Sequence, residues 1–167
     1  MKASWMLLAA SLAAVPGAHG AQTVINERAL SLDAALEAAN AALASCRPHG
    51  VPVTITVLDQ AARVKVVLRD DGANPHSSEH SFRKAYTALT YKMPSGEYGK
   101  RAAANPGSAG PLHLPNITTA AGGLPILAGN VAVGAIGISG TPGDKGGGTA
   151  DEGCARAGIE RISKGLN

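Results

Sequence analysis

The sequence predicts an α/β (α+β) domain: one antiparallel sheet with helices packed on it. Two pairs of short apolar runs, the first pair alternating with polar residues, lie close enough along the chain to form hairpins. Segments with helical apolar spacing precede, separate and follow those pairs, giving the order helix, hairpin, helix, irregular stretch, hairpin, helix.

Residues 1–20 stand apart. A lysine, an apolar run from Trp5 to Val15 and the break at Pro16-Gly17 lead to Ala18-His19-Gly20. That layout is expected of a secretory signal peptide, and the apolar run is too short to span a bilayer. Residues 21–167 are then a single exported domain, periplasmic or secreted, with no later membrane span.

Ser31–Arg47 reads as an amphipathic helix. Ser31 caps it, Leu32, Ala35, Leu36, Ala39, Leu43 and Cys46 line its inner face, and Pro48 and Gly50 stop it. In Val51–Asp59, Val53, Ile55 and Val57 face one way and Thr54 and Thr56 the other. After a turn at Gln60–Ala62, Arg63–Gly72 alternates again. The next helix is expected to be capped by Asn74, with Pro75 at its first position, and to run to about Lys92 before Pro94 and Gly96. Lys100–Pro115 lacks periodicity and reads as irregular with one short helix. Leu124–Leu127 and Val131–Ser139 form the second hairpin, the latter a central strand apolar on both faces. A loop over Gly140–Gly148 leads to a last helix starting at Thr149 or Asp151 and ending near Lys164. Asp151 and Glu152 in its first turn suit the helix dipole.

Composition excludes some classes. The 167-residue chain carries a net charge of +3, Lys2 included, and no block of Lys or Arg. Beyond the leader its aromatic residues are Phe82, Tyr86, Tyr91 and Tyr98. A nucleic-acid surface would need a basic stripe with stacking platforms, so no nucleic-acid partner is expected. The motifs GxSxG, HExxH and CxxCH are missing, which leaves no serine-hydrolase elbow, zincin site or covalent haem. Gly146-Gly147-Gly148 lacks the lysine and hydroxyl of a P-loop and reads as a plain loop. In an exported protein Cys46 and Cys154 are either bridged or two separate buried thiols; a bridge would be worth about 4–5 kcal/mol in the chain-entropy model.

Several motifs, in order, cover nearly all of residues 21–167: RDDGA (Arg69–Ala73); Ser78, Lys84, Ala85, Thr87 and Ala88; GGLPI (Gly122–Ile126); GNVAVGAIGISG (Gly129–Gly140); and DEGCARAGI (Asp151–Ile159). In these the chain resembles the GlcG/HbpS-like family, also called the haem-degrading domain family, to which the C-terminal domain of PduO-type proteins is related. The resemblance implies a profilin-like fold with a five-stranded antiparallel sheet. It also implies small, often oligomeric proteins, some of them extracellular haem binders linked to redox sensing.

His76, His80, Arg83 and Thr87 form one polar stripe on the helix, away from the face of Phe82, Ala85, Tyr86 and Leu89. Three readings of it stand side by side. The stripe is solvated surface; or His76 and His80 chelate one divalent metal, with Glu79, His49 or His113 as the third ligand. Or the stripe faces a haem, with one imidazole on the iron and Arg83 on a propionate. Imidazoles one turn apart reach the iron from the same side, so only one of them ligates, and His113 is the preferred distal partner. Tyr91 is a further candidate for ferric iron.

The expected function is therefore an exported, homo-oligomeric small-ligand-binding protein that takes haem or a related tetrapyrrole non-covalently. The alternatives are an enzyme degrading haem or acting on a small hydroxy acid or aldehyde, and an accessory subunit of a periplasmic dehydrogenase.

Overall fold

The computed structural model describes residues 24–108, 110–142 and 147–166, so the leader expected at 1–20 lies outside the described residues. Ser31 opens the first helix as its chemistry requires: its Oγ accepts from Ala34 N at 3.1 Å, capping α1 (Leu32–Cys46). β1 (Thr54–Asp59) and β2 (Val64–Arg69) follow, then α2 (Ser77–Tyr91), α3 (Ser95–Ala104), β3 (Gly123–Ala128), β4 (Val131–Ser139) and α4 (Gly147–Ile162).

Both hairpins form, and they join through β1 and β4 into one antiparallel sheet of order β2-β1-β4-β3. The described residues give four strands, not the five implied by the family resemblance. Leu30, just before α1, donates to Val133 O at 3.2 Å, beyond the point where β1 stops pairing with β4. One such bond fills the vacated ladder position without making a strand.

The sheet is covered on both faces. Val53, Ile55 and Val57 pack with α1 and α4 in the larger core, while Leu58 and Ala135 meet Ala85 and Leu89 of α2 on the other side. The β1 threonines point at α2 as alternation demands, but they are fully buried: Thr54 Oγ1 pairs with Ser77 Oγ at 2.7 Å and Thr56 Oγ1 with Ser81 Oγ at 2.8 Å. Gly137 lets α2 approach this closely, since a Cβ there would sit 2.1 Å from Ser81 O.

Docking overrides several local signals. Leu32 and Leu36, expected inward, are exposed, whereas Ala35, Ala39 and Cys46 are buried as expected, joined by Ala38 and Ala42. The cause is the close approach of α4, where a Cβ on Gly158 would meet Ala38 O at 2.6 Å, so only small side chains fit between. α2 begins later than its Asn-Pro signal. Asn74 O accepts from Ser77 N and Ser77 Oγ in a preceding turn, and His76 takes the N-cap position. Pro94-Gly96, expected only to stop a helix, opens α3, held by Ser95 Oγ donating to Ala120 O at 2.7 Å. The rest of the stretch expected to be irregular is short 3-10 turns. α4 starts earlier than expected and takes in Gly147 and Gly148.

Cys46 and Cys154 are bridged, with Cα atoms 5.4 Å apart and a sequence separation of 108, tying α1 to α4. Replacing both with serine is expected to lower unfolding free energy by about 4–5 kcal/mol in denaturant titrations, the closure entropy of so long a loop. A loss below about 1 kcal/mol would show that the unfolded chain gains little freedom when the bridge is gone.

Candidate functional site

Ser77, Ser81, Lys84 and Ala88 form a line on α2 that faces the sheet, one residue round from the stripe of His76, His80 and Arg83, and all four are buried. In this line of small side chains Lys84 is the exception. Its Nζ donates to Ile138 O at 2.9 Å and to Asp151 Oδ2 at 2.8 Å, and the two side chains are only 4% and 1% exposed. Asp151 Oδ1 accepts from Thr141 N at 3.2 Å. Asp151 is thus no exposed helix-start carboxylate, as its position suggests, but the buried counter-ion of Lys84. The paired glycines before β3 make room for this: Gly122 has φ +122, and a Cβ there would lie 3.0 Å from Lys84 Nζ. A Cβ on Gly123 would collide with Lys84 O.

Above the ion pair lies a cleft of about 490 Å3, lined among others by His76, His80, Lys84, Ser139, Thr141 and Asp151. It shares Ala121 and Thr149 with a larger cleft of about 750 Å3 between α3 and α4, where Lys100 and Arg156 stand. Both volumes fall in the range of roughly 300–1,000 Å3 usual for small-molecule sites. On the other side of the imidazoles a shallower recess is lined by His76, Glu79, His80 and Arg83.

The two histidines differ. His76 is exposed, whereas His80 is half-buried, with Nδ1 3.2 Å from Ser139 Oγ. Burial first, then the charges of Lys84 and His76, push the His80 imidazole below its ordinary value of 6.5, against a smaller opposing effect of Asp151. His80 is therefore neutral at pH 7, the form that ligates a metal. The ring centroids lie 6.2 Å apart. Arg83 is near them but paired with Glu79 at 2.6 Å.

Other members of the predicted set are placed elsewhere. Thr87 does not continue the stripe: it is fully buried, and its Oγ1 accepts from Thr118 N at 2.9 Å. The segment around Ile117 and Thr118 packs over that part of α2, which a helical wheel of α2 alone does not reveal. His113 sits exposed in a 3-10 turn and lines neither hollow that holds the imidazoles. Tyr91 stacks on Tyr98 at 3.9 Å, and burial with the neighbouring phenol pushes it up to about 12, which opposes a tyrosinate ligand. Among the described residues no three His, Cys, Asp or Glu side chains converge as a metal site would require. What the hollow offers is one neutral, oriented imidazole beside a second, above a buried ion pair.

The sequence pattern of the family described as haem degrading protein HbpS-like matches residues 30–160. A double mutant of Streptomyces reticuli HbpS is 36% identical, with a TM-score of 0.75 over 89% of this chain and 97% of that one. Klebsiella pneumoniae ORFY is 26% identical, with a TM-score of 0.73 over 86% of this chain and 97% of its own. PduOC, solved as a haem complex, is 27% identical, with a TM-score of 0.70 over 80% of this chain and 95% of its own.

Because Lys84 and Asp151 neutralise each other where water is excluded, Lys84→Met should cost about 3–5 kcal/mol by stranding the carboxylate. Adding Asp151→Leu should recover most of that loss. Denaturant unfolding of the two variants measures both; a single variant as stable as the parent would mean that the pair is solvated.

Proposed function

The chain belongs to the HbpS-like family, and on that premise we propose that it binds haem or a related tetrapyrrole non-covalently in the cleft beside His80. The carrying observation is the half-buried imidazole whose Nδ1 is held by Ser139 Oγ at 3.2 Å. With Nδ1–H donating to that hydroxyl, Nε2 is left with its lone pair, the arrangement that orients a metal-ligating histidine. The donor set therefore fits haem iron better than a bare divalent ion, for which two imidazoles are too few. The relative solved as a haem complex supports the same choice of ligand.

In this reading His80 would hold the iron, and His76, a turn away, would stand beside it. The family description as haem degrading favours a second reading, in which bound haem is broken down. Bleaching of the bound-haem spectrum by reductant and oxygen, with release of iron, separates that reaction from passive binding.

Export of residues 21–167 through the leader at 1–20 and assembly into a homo-oligomer belong to the same proposal. β2 is an edge strand whose Val64 and Val67 are exposed, an apolar margin suited to a second copy.

Titrating hemin into the purified protein should raise a Soret band, and His80→Ala should weaken binding by at least about tenfold, with Ser139→Ala intermediate. Acid should weaken binding only at pH below the ordinary imidazole range, because the lowered His80 pKa keeps the imidazole neutral to more acid pH. An unchanged Soret band in His80→Ala would remove His80 as the ligand.

A further inference from the structure

The polar groups at the floor of the cleft are not all partnered. Lys84 carries three N–H donors, of which Ile138 O and Asp151 Oδ2 take two. The third has no acceptor among the described residues, and Lys84 forms part of the cleft wall. Thr141 is only 8% exposed, lines the same cleft, and its Oγ1 has no hydrogen-bond partner. An orphaned hydroxyl at such burial destabilises the fold unless something supplies its partner.

The N-terminus of α4 opens on the same place, with Gly148 and Thr149 in the cleft wall. The first N–H groups of a helix lack intrahelical acceptors and carry the positive end of its dipole. α4 is 16 residues long and has no acidic residue in its first turn, so that end is not neutralised from within the helix. Asp151, one turn in, does not repel an anion strongly: both its oxygens are engaged, and its charge is cancelled by Lys84. The Lys84 ammonium and the helix N–H groups can only donate, and the Thr141 hydroxyl can donate with them, which favours an acceptor-rich ligand with negative charge.

We propose that the floor of the cleft is a carboxylate subsite built from Thr141 Oγ1, the third N–H of Lys84 and the N-terminus of α4. The inference rests on the cleft of the haem reading but not on haem itself. The carboxylate comes either from a small free acid or from a propionate of the tetrapyrrole, for which Arg83 is a poorer partner because it lines the recess on the other side of the imidazoles and not this cleft.

Two titrations of the intact, disulfide-bonded chain test this. In the first, acetate is added while amide resonances are followed, with chloride as control. In the second, hemin is compared with hemin dimethyl ester, whose propionates carry no charge. A subsite for free acids gives saturable shifts at Thr141 and Thr149, weakened about tenfold or more in Thr141→Val and restored in Thr141→Ser. A subsite for propionate gives an about tenfold preference for hemin over the ester, and Thr141→Val abolishes it. Acetate binding without any hemin binding would end the haem reading and leave the subsite standing. If acetate does not saturate and hemin and its ester bind alike, the subsite is overturned, and this comparison needs no variant that folds.

Discussion

A buried ammonium and a buried carboxylate hold the functional end of this molecule together. Lys84 reaches from α2 to the end of β4 through Ile138 O and to α4 through Asp151, so three elements distant in sequence meet at one ion pair. Either charge buried alone would cost the fold several kcal/mol, so each holds the other in place. The consequence is positional: with Lys84 fixed, His80 one turn earlier lies beside Ser139, and the start of α4 faces both across the cleft.

The glycines follow from the same constraint. α2 lies against the sheet at backbone distance, so Gly137 and Gly123 stand where any Cβ would strike Ser81 O or Lys84 O. Hydroxyl pairs between Thr54 and Ser77 and between Thr56 and Ser81 replace the leucines usual under a helix. On the opposite face the Cys46–Cys154 bridge and an alanine seam join α1 to α4, which fixes where α4 starts and so where its positive end points. The polar face of the sheet carries the site, and the apolar face carries the stability.

Much of this was legible in the sequence. Period-two alternation placed β1 and β2, and the Ala128-Gly129-Asn130 turn between apolar runs placed β3 and β4; apolar spacing found α1, the Asn74-Pro75 start found α2, and charges at its two ends found α4. The His76/His80 stripe does border a hollow. What failed had a tertiary cause. Leu32 and Leu36 look like core on a wheel, but α4 packs too close for them. Thr87 looks like surface, but the segment near Thr118 covers it. Pro94-Gly96 looks like an end, but Ser95 finds a carbonyl that starts α3. Lys84 and Asp151 were missed as a pair because each has an ordinary local role, a helix lysine and a helix-start acid, and they lie 67 residues apart. The one local clue was a lysine in register with Ser77, Ser81 and Ala88, a line otherwise made of small residues.

The ion pair, the oriented imidazole and the start of α4 border one cleft, the place proposed for the tetrapyrrole. Paramagnetic broadening of amide resonances by bound ferric haem maps that place directly. The account predicts broadening centred on His80 and Ser139 and reaching Thr141 and Thr149, with the stacked pair Tyr91 and Tyr98 spared. Broadening centred on the His113 turn, or spread evenly over the surface, would contradict it.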